Sequence, residues 1–137
     1  QDSDLCEVLT FLTHRLYNCS SDLAKGVGKS TVSGISKQDV SFLEEAIDLF
    51  DGQAEPITGF VLPGGSELAA RLHVARTVLR RSERKICRLY ESAPKDKVIL
   101  QFVNRASDLL FAAARYANKI HGNGDVSWDP GHDPAAT

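Results

Sequence analysis

Ser66 to Tyr90 reads SELAARLHVARTVLRRSERKICRLY, and the reading of this stretch decides the fold. Leu68, Leu72, Ala75, Leu79, Ser82, Ile86 and Leu89 recur at spacings of four and three without a slip. That spacing marks one face of an α-helix with about 3.6 residues per turn. The same stretch carries six Arg, one Lys and two Glu, a local charge of +5 in a chain whose net charge is −2. Partners are therefore expected to be chosen by a site and not by overall charge.

Working outward, Leu5, Leu9, Leu12, Leu16, Cys19 and Leu23 form a second helical stripe. The Gly/Ser-rich KGVGKSTVSGISK segment interrupts the period. Ser36 and Asp39 then make an S-x-x-D start signal for a helix carrying Val40, Leu43, Ile47 and Phe50. After an irregular Gly- and Pro-containing stretch comes the helix already described. Ile99, Phe102, Ala106, Leu110, Ala113 and Ala117 mark a further one, with Gly122 and Gly124 as stops. No alternating strand pattern appears. The expected fold is all-α: an antiparallel up-down bundle of four to five helices spanning residues 1–128, with 129–137 as a tail.

A chain of 137 residues with 42% hydrophobic and 25% charged composition suits one domain. No apolar run is long enough to span a bilayer, and the N-terminus lacks a signal-peptide layout. This predicts no membrane partner and a cytoplasmic protein, or a mitochondrial-matrix one if the source is eukaryotic. Cys6, Cys19 and Cys87 lie at no metal-ligand spacing and read as reduced, buried thiols. His14, His73, His121 and His132 form no ligand cluster, so no protein-held metal site is expected. GVGKST imitates the end of a P-loop, but Leu23 stands where its first Gly belongs and a helix precedes it, which favours a plain loop.

On the arginine helix, steps of about 100° place His73, Arg76, Arg80 and Glu83 on a strip adjoining the apolar face. Arg81, Arg84, Lys85 and Arg88 fall on the solvent side. Half-buried guanidinium groups need anions or carboxylates. Arg76 and Arg80 therefore either grip adjacent phosphates or pair with Glu83, Asp108 or a neighbouring subunit. Asn104, Arg105 and Asp108 make a polar patch in an apolar helix and must be satisfied by a ligand or by the arginine helix. Phe60 stands before that helix as a core cap or a contact to a flat ligand. The Gly64-Gly65 pair frees backbone N–H groups that can meet anions.

FVLPGGSELAARLHVARTVLRRSERKI, FVNRASDLLFAAARYAN and GNGDVSW together resemble the PduO-type ATP:cob(I)alamin (corrinoid) adenosyltransferases, over most of the chain from Gln1 to Trp128. The resemblance implies a homotrimer with ATP in the cleft between subunits and cobalamin beside it. The implied reaction transfers the 5′-deoxyadenosyl group of ATP to cobalt and releases triphosphate, with Mg²⁺ accompanying the phosphates. It further implies that Arg76 and Arg80 are catalytic and bind ATP with Glu83 and Asn104. Arg105 and Asp108 organise these contacts, and Phe60 lies against the corrinoid. Asn18 stands where the family commonly has an acidic residue facing the corrinoid.

The family's T-K-x-G-D-x-G segment and its G-x-V-D-E-L-N helix are not in these residues. With no Met in the chain, the expectation is that an N-terminal nucleotide loop lies upstream. A second reading is a non-catalytic corrinoid-binding or delivery module of the same fold, and handover to an adenosylcobalamin-dependent enzyme is compatible with either. A nucleic-acid partner is disfavoured because no aromatic residues interleave with the arginines.

Overall fold

Four α-helices follow one another: α1 (Asp2–Ala24), α2 (Lys37–Gln53), α3 (Glu67–Ser92) and α4 (Lys97–His121). They are seen in a computed structural model that describes residues 2–24, 34–92, 97–122 and 124–136. The P-loop-like GVGKST stretch lies outside the described residues. Consecutive helices run antiparallel. Phe11 meets Phe42 at 4.2 Å between ring centroids, and Arg15 meets Asp39 at 3.0 Å, which sets α1 against α2. Ser66 faces Asn118, His73 faces Phe111 and Glu83 faces Asn104, which sets α3 antiparallel to α4. Glu44 meets Arg105, and Phe50 stacks on Tyr116 at 4.7 Å, so α2 and α4 point the same way and pack side by side. The up-down bundle read from periodicity is the fold.

The α2 start signal forms as a capping box. Ser36 Oγ accepts from Asp39 N–H while Asp39 Oδ2 accepts from Ser36 N–H, so two donors that the helix cannot satisfy find partners. α4 is the core of the bundle. Its residues 112 to 118 are buried without a break, and Ala106, Ala113, Ala114 and Ala117 are wholly inaccessible. Small side chains let neighbouring helix axes approach closely, so α4 is enclosed on more than one side. The six-residue stripe read from its period is only part of its buried surface.

Two expectations need correction. On α3 the buried residues are Ala69, Leu72, His73 and Ile86, while Ala75 and Leu89 of the expected stripe are exposed. The helix is rotated so that its His73 edge, and not its Ala75 edge, meets α4. Of the three thiols only Cys19 is buried; Cys6 and Cys87 are exposed.

The C-terminal segment adds a feature that periodicity could not suggest. Val61 and Ser127 form an antiparallel bridge, with Leu62 N–H donating to Val126 O at 2.7 Å and Trp128 N–H donating to Phe60 O at 2.9 Å. The stretch after α4 is thereby sewn to the loop before α3, and a short 3₁₀ turn at Pro134–Ala136 follows.

Candidate functional site

The entrance of α3 is closed by a side chain from α4. Asn118, wholly buried, accepts from Ser66 N–H at 2.7 Å through Oδ1 and donates to Gly64 O at 2.9 Å through Nδ2. Ser66 Oγ accepts from Ala69 N–H at 3.2 Å. Gly64 N–H, one of the donors that sequence offered to an anion, is also engaged within the protein, donating to Leu62 O at 2.8 Å. Gly65 turns the chain at φ +106°, where a Cβ would come within 2.1 Å of Asn118 Oδ1. Only glycine fits there.

One turn further into the bundle, Arg115 is 5% exposed and bonds Asp125 at 2.9 Å, stands 3.8 Å from Asp51 and donates to Glu55 O. This one guanidinium joins α4 to the end of α2 and to the C-terminal segment. Arg115, at Glu55, and Asn118, at Gly64 and Ser66, hold the loop that carries Phe60 from both sides. Phe60 is 76% exposed and meets the ring of Trp128 edge-on at 5.5 Å. An exposed aromatic pair is held there by a buried polar scaffold.

A cavity of about 510 Å³ opens beside this pair, lined by Ile57, Gly59, Phe60, Val61, Arg76 and Phe111. A second of about 340 Å³ shares Ile57, Arg76 and Phe111 and adds Asp51, Asp108 and Arg115. Arg76 stands at the junction, its guanidinium 5.3 Å from the Phe111 ring centroid. Among the described residues its Nε is buried without a hydrogen-bond partner, as are His73 Nε2 and Asp125 Oδ1. A buried donor left unpaired costs about 1–3 kcal/mol, so an acceptor arriving at Arg76 has a ready partner. Burial holds the His73 imidazole below its usual pKa, helped by the charge of Arg76 and opposed by Asp125. Burial also raises the Asp51 carboxyl; Arg115 pulls it down, and Asp48 and Asp108 push it up.

About two turns along α3 from Arg76, a second polar cluster joins three helices. Asn104 Nδ2 donates to Glu83 Oε2 at 3.0 Å, Arg105 donates to Asn104 Oδ1 at 2.9 Å and, at 3.4 Å, to Glu44 Oε2. Glu83, Asn104 and Arg105 are thus brought together as a chain of hydrogen bonds. Arg80 lies between this chain and Arg76 along the helix but is exposed, not bordering the core as its position on the helical wheel suggested. Among the described residues no hydrogen bond or ion pair engages it. Asp108 is likewise exposed and lines the second cavity.

Asn18 is not brought to Phe60. It donates to Gly34 O at 3.1 Å, near the start of α2. The α1 end that neighbours the Phe60 side is marked by Asp2 against His121 at 2.6 Å. At 1.5 Å per residue, Asn18 lies about 24 Å along α1 from that end.

Sequence reasoning did not single out Asp51, Phe111, Arg115, Asn118, Asp125 or Trp128. Arg115 and Asn118 left a trace: they are the polar residues inside AAARYAN, where an apolar helix face offers no solvent to receive them.

The family described as cobalamin adenosyltransferase matches residues 1–117. A corrinoid adenosyltransferase of Bacillus subtilis is 40% identical over 126 residues, covering 92% of this chain and 65% of that protein. The Mycobacterium tuberculosis protein of the same name is 36% identical over 141 residues, covering 99% of this chain and 72% of the relative. Among solved structures, a variant PduO-type ATP:corrinoid adenosyltransferase from Lactobacillus reuteri, complexed with cobalamin and ATP, superposes with a TM-score of 0.79 at 30% identity. That match covers 92% of this chain and 82% of the other.

Proposed function

The chain belongs to the cobalamin adenosyltransferase family, and on that premise we propose that it transfers the 5′-deoxyadenosyl group of ATP to the cobalt of cob(I)alamin. The Co–C5′ bond forms with the electron pair of Co(I), and the C5′–O bond breaks with its pair leaving on triphosphate. The observation that carries this reading is the junction at Arg76, which lines an aromatic-walled cavity and stands on a cationic helix face.

Each side chain then has a task its geometry supports. Phe60, backed by Trp128, and Phe111 offer apolar walls to a flat macrocycle. Arg80, exposed and unengaged among the described residues, meets the triphosphate and stabilises charge developing on it, as bidentate guanidinium donors do well. Arg76 supplies a second donor, so the two arginines are the catalytic pair. Glu83 and Asn104 contact the rest of the nucleotide, held by the bonds of Arg105 to Asn104 and Glu44. Asp108 organises the same groove from the α4 side.

Among the described residues no group of three or more His, Cys, Asp or Glu side chains could hold a metal. Mg²⁺ in this reading arrives with the phosphates, and no step is assigned to the protein through it. A homotrimer with the site between subunits fits the exposure of Arg80 and the neighbouring Val74 and Val78 on a single chain, and in such an assembly the Asn18 of another subunit would face the corrinoid. No described helix is long and apolar enough to cross a membrane. The proposed reaction belongs to the cytoplasm, or to the mitochondrial matrix of a eukaryote, with the product passing to an adenosylcobalamin-dependent enzyme.

The test is to incubate the whole gene product with ATP, Mg²⁺ and cob(I)alamin under reducing conditions and follow the optical spectrum. Adenosylcobalamin should accumulate, and Arg80→Ala should lower the rate about 10²-fold or more. Wild-type rate in that variant would sink the assignment, and corrinoid binding without Co–C bond formation would favour a delivery module instead.

A further inference from the structure

The ribbon formed by the Phe60 and Trp128 segments is built inside out. Ile57, Phe60, Leu62, Val126 and Trp128 are five of the eleven large hydrophobic side chains exposed among the described residues. All five lie on the loop before α3 or on the segment after α4. Their anchor is a buried charge. Arg115, 5% exposed, uses three nitrogens on three partners: Nε bonds Asp125 at 2.9 Å, Nη1 stands 3.8 Å from Asp51 and Nη2 donates to Glu55 O.

Stability alone does not call for this arrangement. A buried ion pair gains little over apolar residues of similar volume, and apolar side chains left in water gain nothing from folding. What the arrangement does supply is a fixed spatial relation. Leu62 N–H donates to Val126 O at 2.7 Å and Trp128 N–H donates to Phe60 O at 2.9 Å, around the single bridge of Val61 and Ser127. So short a two-stranded pairing is marginal in water by itself. Arg115 gives both strands a common anchor, since Glu55 lies five residues before Phe60 and Asp125 three before Trp128.

Resting on the adenosyltransferase reading above, we propose that Arg115 is a positioning residue for the corrinoid: it sets the angle and spacing at which the Phe60 and Trp128 side chains meet the macrocycle. Arg115 acts through the ribbon and not by touching the corrinoid. Lysine cannot copy it, because one ammonium replaces three separated donors held in a planar fork. Corrinoid binding and ribbon order are then one linked equilibrium, in which a ligand that prefers the ordered ribbon also tightens it. Arg76 and Arg80 make none of these bonds, so ATP binding is indifferent to them.

The experiment reads ribbon order and the two affinities separately. In the whole gene product, hydrogen exchange over residues 59–62 and 124–128 should slow about fivefold or more when cob(II)alamin binds, and not when ATP binds alone. Arg115→Lys should speed exchange there about tenfold while residues 106–114 of α4 keep wild-type rates. In that variant cob(II)alamin should bind about tenfold more weakly by calorimetry, with ATP affinity within about twofold of wild type. Asp125→Asn should show the same split, and it decides the matter if the lysine variant does not fold. Exchange that cob(II)alamin leaves unchanged overturns the proposal with no variant needed. Wild-type corrinoid affinity in a folded Arg115→Lys overturns it too, as does an equal loss of both affinities, which a purely structural role would give. If the wild type binds no cob(II)alamin, the adenosyltransferase reading falls and this one with it; if it binds and only the split is missing, this one alone falls.

Discussion

Replacing Asn118 with Ala removes a side chain that does the work of solvent at the entrance of α3. Two half-buried backbone groups, Ser66 N–H and Gly64 C=O, lose their partners at 2.7 and 2.9 Å. At about 1–3 kcal/mol for each orphaned group, with some relief if water enters the vacated space, the expected loss is about 3 kcal/mol. For a chain of this length the unfolding entropy is about 0.3 kcal/mol/K, so the melting temperature should drop by about 10 °C.

Gly65→Ala supplies the second arm of a double-mutant cycle, since its new Cβ would meet Asn118 Oδ1 at 2.1 Å on a backbone at φ +106°. Its cost has two parts: unfavourable positive φ, about 1–2 kcal/mol, and the clash. The clash disappears when residue 118 is already Ala. Urea unfolding of the wild type, both single variants and the double variant should therefore show less loss in the double than the singles would add to, by about 1 kcal/mol or more. Additive losses would refute the reasoning, because the glycine would then be needed for its backbone alone. A change of less than 1 kcal/mol for Asn118→Ala would refute the claim that the two backbone groups depend on it.

Further outcomes can be measured independently. Asp125→Asn leaves the buried Arg115 with only the more distant Asp51 carboxylate, and should lower stability by about 2–4 kcal/mol in urea titration. Cys19, whose thiol is pushed up to about 12 by burial and by the charges of Asp22 and Asp39, should resist a thiol reagent at pH 8 while Cys6 and Cys87 react. The sign follows from the raised value: this group's contribution is fully present below pH 9 and lost as pH rises toward 12, so alkaline unfolding should come later in Cys19→Ala relative to its own neutral stability. His73 is shifted the other way by burial and Arg76, so its neutral form stabilises the fold above pH 6.5 and that contribution is lost as pH falls. His73→Gln should flatten the acid limb of stability against pH. Phe50→Ala, at a wholly buried ring stacked on Tyr116, should cost about 3–5 kcal/mol.

How much of this was legible beforehand depends on how many sides of a helix are covered. α2 obeyed its pattern because it buries one face: Val40, Leu43 and Phe50 are inside, and its S-x-x-D start signal became a capping box. α4 obeyed only in part, since a helix enclosed by neighbours no longer has one face for a 3.6-residue period to mark. Its decisive polar residues, Arg115 and Asn118, were therefore hidden in a run that reads as apolar and alanine-rich. On α3 the spacing of four and three was correct for a helix but left the rotation open by about one residue. That rotation exchanged Ala75 for His73 in the core, while Arg80, two turns on along the same strip, is exposed. Glu83, Asn104 and Arg105 were foreseen as one patch and do meet. The pairing of the Phe60 and Trp128 segments joins residues far apart in the chain, a long-range contact that local spacing does not encode.

That last pairing has a practical side. Trp128 is the only tryptophan in these 137 residues, and it sits half-exposed against Phe60, which lines the larger cavity. All indole fluorescence of these 137 residues therefore originates at one spot. A coloured macrocycle settling on Phe60 would quench it by energy transfer, and loosening of the two backbone bonds to Phe60 and Val126 would shift its emission to the red. The fold carries its own lamp at the doorway, and occupancy can be watched there in real time with no label attached.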